Sequence, residues 1–218
     1  MDNANRATTA PQAARERPRD REATKRLLMA AVGRVLARQG FRAVKVNTVA
    51  REAGVDKVLI YRYFDGLPGL VAAFSREGDF WPSVDELVGG DAQAFSALPF
   101  AERLVTATRN YLRGIRVRPL TQEILAWRFL EHNELTMALD DVRVVTGTRL
   151  LQLVGTADDA LPVDMPAFYA VLGAAINHLA VRARHEKTFA GLDLEDAGTW
   201  ERLEAMLART IRGILGGA

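Results

Sequence analysis

Apolar residues recur at intervals of three and four along most of this chain, the period of a helix with one buried face. No stretch keeps the alternation of a half-buried strand. The first stripe is Leu27, Leu28, Ala31, Val32, Val35 and Leu36, which predicts a helix from about Thr24 that Gly40 closes. Val46, Val49, Ala50 and Ala53 then fall on one face of a short helix. Gly54 stands where the exit from that helix needs a positive φ, which glycine adopts without a Cβ clash. Val55 can pack back into the corner, and Asp56 is a good N-cap, because its carboxylate accepts the orphan N–H groups of a following helix. That second helix presents Lys57, Tyr61, Arg62 and Tyr63 as long polar or aromatic side chains, while Val58, Leu59, Ile60 and Phe64 supply apolar surface. Two short helices about a tight turn are the layout of a helix-turn-helix, whose second helix lies in the DNA major groove.

The pattern continues to the C-terminus. Pro68 fits the first turn of a fourth helix, where its missing N–H costs nothing, and Leu70, Val71 and Phe74 share a face of it. From Pro82 to Pro99 the chain is acidic and holds Gly89-Gly90, so a loop is expected there. Leu104, Val105, Thr108, Tyr111, Leu112 and Ile115 form the next stripe, and Pro119 restarts the chain into a dense apolar helix with Ile124, Leu125, Trp127, Phe129 and Leu130. A helix from about Asn133 to Val154 carries Leu135, Leu139, Val142, Val145, Leu150 and Leu153. After a turn-rich break, Pro166 opens a long helix to about Lys187, with Phe168, Tyr169, Val171, Leu172, Ala175, Ile176, Leu179 and Ala183 spread over more than one face. A helix apolar on most sides is buried on most sides. The last helix, from about Thr199 to Leu215, repeats Trp200, Leu203, Leu207, Thr210, Ile211 and Ile214 as a seam for another helix. The fold class is therefore all-α, with no internal repeat.

From Thr24 to Phe74 the order of features resembles the DNA-binding domain of the TetR family of transcriptional regulators. The first helix ends in Gly40 and an aromatic Phe41. The Val-Ala helix, the Ala-Gly-Val turn and the Tyr-x-Tyr-Phe ending follow. Beyond Phe74 only the helical pattern is similar. The resemblance implies a three-helix helix-turn-helix DNA-binding domain over 21–66 and a helical effector-binding and dimerisation domain over 67–218. Candidate DNA contacts are Lys45, Thr48, Asp56, Lys57, Val58, Leu59, Tyr61, Arg62 and Tyr63. Three positions depart from the family pattern. Lys45 replaces a capping Ser or Thr, which weakens that helix start by about 1 kcal/mol. Leu59 replaces a small hydroxyl residue, trading a polar DNA contact for an apolar one such as a thymine methyl. Leu67 stands where a phosphate-binding lysine is common. The resemblance further implies a homodimer built by the last two long helices, with Ala175, Leu179, Leu207, Ile211 and Ile214 as interface candidates. It also implies a body pocket for a small, largely apolar effector. Tyr111, Trp127, Phe129, Met137, Tyr169, Asn177 and His178 are the candidate lining, although aromatics at helical spacing serve equally as plain core.

Charge sharpens this division. Residues 1–64 hold 14 of the 29 Lys and Arg but 6 of the 27 Asp and Glu, whereas 65–218 hold 15 against 21. A basic head on an acidic body suits a DNA-binding protein. Residues 1–20 lack periodicity and are expected to be a disordered basic arm, one that either lies along phosphates and an adjacent minor groove or is a solvated tail. There is no cysteine, no apolar run long enough to span a bilayer and no secretory signal, so a cytoplasmic protein without cofactor is expected. No phosphate loop or nucleophile elbow is present, and His132, His178 and His185 lie at no recognised metal spacing, so catalysis is not expected. The leading reading is a repressor released from a palindromic operator by a small molecule. A DNA-binding regulator without an effector is the alternative, and a helical carrier or interaction module a more distant one.

Overall fold

The computed structural model describes residues 18–77, 81–130, 134–155 and 163–216. Among them, α1 (Pro18–Gln39) starts earlier than its apolar stripe predicts. Proline suits the first turn, and Asp20 sits near the positive end of the helix dipole. Residues 18–20, expected in the arm, are therefore helical, and the rest of the expected arm, residues 1–17, lies outside the described residues. Leu28, Ala31, Val32, Val35 and Leu36 are buried as expected, but Leu27 is 49% exposed, on the flank of the stripe. A 3-10 turn (Phe41–Ala43) leads to α2 (Val46–Ala53), α3 (Val58–Phe64) and α4 (Leu67–Glu77). These elements close on one core with α1, through Phe41, Val44, Val49, Ala50, Ile60, Leu70 and Phe74.

The expected loop between Pro82 and Pro99 is instead two short helices, α5 (Val84–Val88) and α6 (Ala92–Ala97). Ser83 and Glu86 form a reciprocal capping box, and the Asp91 carboxylate accepts from the N–H groups of Gln93 and Ala94. Charged caps and paired glycines obscure helices this short, although Leu87, Val88 and Phe95 bury as fully as core residues. The body continues with α7 (Phe100–Arg116), α8 (Pro119–Leu130), α9 (Glu134–Val154), α10 (Met165–His185) and α11 (Ala197–Leu215). Helices α10 and α11 both pack on α7. Asp164 and Asp196 cap them, each accepting a hydrogen bond from an N–H of the first turn.

A β-hairpin that the sequence pattern did not reveal joins α10 to α11: β1 (Thr188–Phe189) pairs antiparallel with β2 (Leu192–Asp193). Ala190 and Gly191 turn it with φ of 50° and 78°, as a two-residue I′ turn requires. Two-residue strands carry too little alternation to read. Helix α10 also differs from expectation. Phe168, Leu172, Ile176 and Ala180 are buried in a single i, i+4 row, while Val171 is 65% exposed.

The core runs without a break from head to body. Trp81, Ile115, Ile124, Leu125 and Ala180 of the body share one cluster with the head residues. A second cluster, at the far end of the body, gathers Leu104, Val105, Val154, Phe168, Leu172, Ala208 and Ile211. Helices α7 and α10 thus run from the far end toward the head, and α9 runs back. Arg113 of α7 holds the carboxylate of Glu204 on α11 with two bonds of 2.8 and 2.6 Å.

Candidate DNA-binding face and body pocket

The corner between α2 and α3 is built as the sequence implied. Gly54 has φ 70° and ψ 29°, and its N–H and that of Val55 close the end of α2 on the carbonyls of Arg51 and Ala50. The N-cap position of α3 falls on Lys57, without a side-chain bond, and the expected cap Asp56, one residue earlier, takes the Val58 N–H at 2.8 Å and so satisfies the first N–H of the helix. Lys45 caps α2 with no side-chain bond. Arg34 of α1 donates to the Glu52 carboxylate at 2.6 Å and to the Glu52 carbonyl at 3.2 Å, which pins α2 to α1. Those bonds hold the Glu52 carboxyl below the usual carboxylate range.

Helix α3 divides cleanly. Ile60 is buried, and Leu59, Tyr63 and Phe64 pack partly buried against the head core. Val58 is 53% and Tyr61 57% exposed, and Lys57 and Arg62 are exposed beside them. Positions 58, 61 and 62 lie on one helical face. Lys45 and Asp56 are also exposed, whereas Thr48 is half-buried. Leu59 lies beside Ile60 and packs on the head core from the edge of the exposed face. Tyr63 turns to the side, where the Arg21 guanidinium carbon lies 5.5 Å from its ring centre. Arg21, expected to begin the DNA-binding domain, is thereby anchored to α3.

The body holds a pocket of about 260 Å³ between α7, α9, α10 and the Trp81-Pro82 segment. Of the seven candidate lining residues, Tyr111, Tyr169 and Asn177 are there. The Tyr111 hydroxyl donates to Asn177 Oδ1 at 2.9 Å, and burial raises the Tyr169 phenol above its ordinary range. The other four lie elsewhere. Phe129 is 65% and Met137 49% exposed. His178 is exposed against the hairpin, its ring 5.4 Å from that of Phe189. Trp127 seats the head on the body: its indole donates to Glu123 at 2.7 Å, and its ring lies 6.1 Å from Phe41. Trp81, Leu104, Thr108, Arg143, Leu150 and Leu172 also line the pocket and were not among the candidates. Leu104, Thr108 and Tyr111 do share a helical face, but periodicity does not say whether a face meets a cavity or a neighbour.

The interface candidates separate in the same way. Ala175, Leu179 and Leu207 are half-buried, and Ile214 is 39% exposed. Ile211 is fully buried in the core of the subunit and is not available to a partner. The outward faces of α10 and α11 carry Val171 at 65%, Met206 at 58% and Ile214 instead. No group of His, Asp and Glu suited to a metal ion occurs among the described residues, outside which Glu131, His132 and Asn133 lie. No helix among them is long and apolar enough to cross a membrane.

Residues 27–74 match the family described as bacterial regulatory proteins, tetR family. The fold is similar to that of the fatty acid degradation regulator FadR from Bacillus halodurans, with a TM-score of 0.60 at 17% identity over 85% of this chain and 94% of that one. It is likewise similar to a TetR-family transcriptional regulator from Haemophilus influenzae RD, with a TM-score of 0.54 at 20% identity over 91% and 99% of the two chains. A TetR family transcription regulator from Marinobacter aquaeolei VT8 gives a TM-score of 0.52 at 19% identity over 86% and 97%. No curated protein matches the chain. The helix-turn-helix head thus matches the TetR family over residues 27–74, and the chain as a whole shares the fold of TetR-family transcription regulators.

Proposed function

We propose that this protein is a homodimeric repressor that a small, largely apolar molecule releases from a palindromic operator. In this reading residues 21–66 bind DNA and 67–218 bind the effector and the second subunit. The exposed face of α3 reads the major groove through Lys57, Val58, Tyr61 and Arg62, with Lys45, Thr48 and Asp56 beside it and Leu59 and Tyr63 positioning it. Two such heads on a two-fold axis match two half-sites of a palindrome. The outward faces of α10 and α11, with Ala175, Leu179, Leu207 and Ile214, form the dimer contact.

The observation that carries the effector reading is the pocket and its neighbour Trp81. This side chain is 6% exposed, lines the pocket and belongs to the core that joins body to head. A ligand that displaces Trp81 acts on the packing that sets the tilt of α4 and the spacing of the two α3 helices. To switch the protein it must bind the released arrangement better than the DNA-bound one.

The experiment is fluorescence anisotropy with DNA from upstream of the protein's own gene, at two salt concentrations and with competitor DNA, followed by a screen for molecules that lower the signal. The Gly173→Leu variant supplies the control. Nothing lies within 4 Å of a Cβ placed there, on the pocket wall, so a leucine side chain starts into open cavity space. It also gains roughly 0.8–1 kcal/mol of helix propensity over glycine. The expected result is a protein that binds the operator and no longer responds. Specific binding that no molecule in the screen relieves would favour the regulator without an effector.

A further inference from the structure

Among the described lining, the pocket's guanidinium and its amide, those of Arg143 and Asn177, stand on stretches of α9 and α10 nearer the head than Val154 and Leu172 of the same two helices. At the end away from the head its wall is Leu104 of α7, Val154 of α9 and Leu172 of α10, all members of one apolar cluster. Toward the head, the same three helices present Tyr111, Arg143 and Asn177. The order follows from the chain directions: Tyr111 and Asn177 lie further along α7 and α10 toward Ile115 and Ala180 of the head-joining core, and Arg143 lies between Leu135, packed on that core, and Val154 at the far end. Arg143 is the one charged residue among the described lining.

We infer that the effector is an amphipathic anion, a small carboxylic acid whose charged group meets Arg143 and the amide N–H groups of Asn177, which Tyr111 orients, while its apolar body fills the far end. This rests on the reading of the pocket as an effector site. A carboxylate offers two acceptor oxygens to a planar guanidinium, the pairing that arginine geometry fits best. Arg143 already has a partner within the protein, but a guanidinium carries five N–H donors and can serve a second acceptor. The Tyr111 hydroxyl spends its proton on Asn177 Oδ1, which leaves the Asn177 amide N–H groups as donors at the same end. The Tyr169 phenol, neutral at pH 7 as tyrosine ordinarily is and pushed further up by burial, adds no competing negative charge. An uncharged ligand of the same shape would gain at most a hydrogen bond from Arg143 without the charge pairing, and a cation would be repelled by it.

The test compares each of two acids with its primary amide by titration calorimetry at neutral pH: octanoate with octanamide, and 3-phenylpropanoate with 3-phenylpropanamide. At least one acid is expected to bind ten-fold or more tightly than its amide. The Arg143→Gln variant is expected to lose that preference by weakening the acid and leaving the amide within about two-fold, and Arg143→Lys to keep part of it. Amides that bind as well as acids, failure of all four probes to bind, or an equal loss of acid and amide in a folded Arg143→Gln protein would each overturn the inference. Should Arg143→Gln fail to fold, the acid–amide comparison on the wild type still decides. Operator anisotropy in the same titrations separates the two claims. An acid that binds through Arg143 yet leaves the protein on DNA upholds the ligand class and removes the release mechanism.

Discussion

Lys57 and Tyr61 show how much a single side chain on α3 can reveal. Both project from the face that carries no head packing, so their loss leaves the core intact. Replacing either by alanine is expected to weaken operator binding by about 1–3 kcal/mol with no change in thermal midpoint. Unchanged anisotropy would take that residue out of the interface. Gly69 makes the opposite case. A Cβ there would stand 1.7 Å from the Phe64 carbonyl oxygen, where the end of α3 meets the start of α4. Gly69→Ala must therefore push α4 away from α3, at a cost of about 1–3 kcal/mol or more. Gly54→Ala, with open space around its Cβ, pays only for its left-handed backbone. Urea denaturation compares the two, and equal midpoints would mean that α4 yields freely at Gly69. The glycine of the turn was legible in the sequence because it ends an apolar stripe. Gly69 was not, because the carbonyl it accommodates is set by the crossing of two helices.

At the scale of elements, ion pairs tie neighbouring helices together. Arg118 and the Ser83 N–H hold the Glu86 carboxyl below the usual carboxylate range, and Arg212 does the same to Glu102 with bonds of 2.6 and 2.9 Å. Arg34 acts alike on Glu52. A depressed folded-state pKa gives stability that is present above the unfolded value, about 4.3 for glutamate, and is lost as pH falls through the folded value. The thermal midpoint is expected to be level from neutral pH to about 5 and to fall below about 4, and Glu102→Gln is expected to shallow that fall. A midpoint at pH 3 equal to that at pH 7 would show that these pairs contribute nothing. Glu86 also closes the cap of α5, whereas α6 is capped by the separate carboxylate of Asp91. Ser83 and Glu86 stand in the spacing of a capping box, and that signal was in the sequence, masked by the acidic, glycine-containing stretch around it.

At the scale of the whole molecule, the proposed homodimer must cover apolar surface that a lone chain leaves to water. Val171 and Met206 are more than half exposed on the outward faces of α10 and α11, whereas Ile211 faces α7 inside the subunit. Val171→Asp or Met206→Asp is expected to yield a folded monomer by sedimentation. Ile211→Asp buries an unpaired charge and is expected to unfold the chain. A Val171→Asp, Met206→Asp double variant that still sediments as a dimer would move the contact to the exposed Val144 and Val145 of α9.

The sequence by itself determined the longer helices, the two short helices about Gly54, the hold of Asp56 on the start of α3 and the charge contrast between head and body, because each depends on residues close together in the chain. It also placed Tyr111, Tyr169 and Asn177 among seven pocket candidates. The tertiary structure alone decided that Trp127 joins head to body, that Phe129 and Met137 face outward, that His178 rests on a hairpin and that Ile211 is core. Periodicity marks which face of a helix is apolar. Whether that face meets another helix, a cavity, a second subunit or water depends on how the helices cross, and crossing is fixed by side-chain packing between segments far apart in sequence.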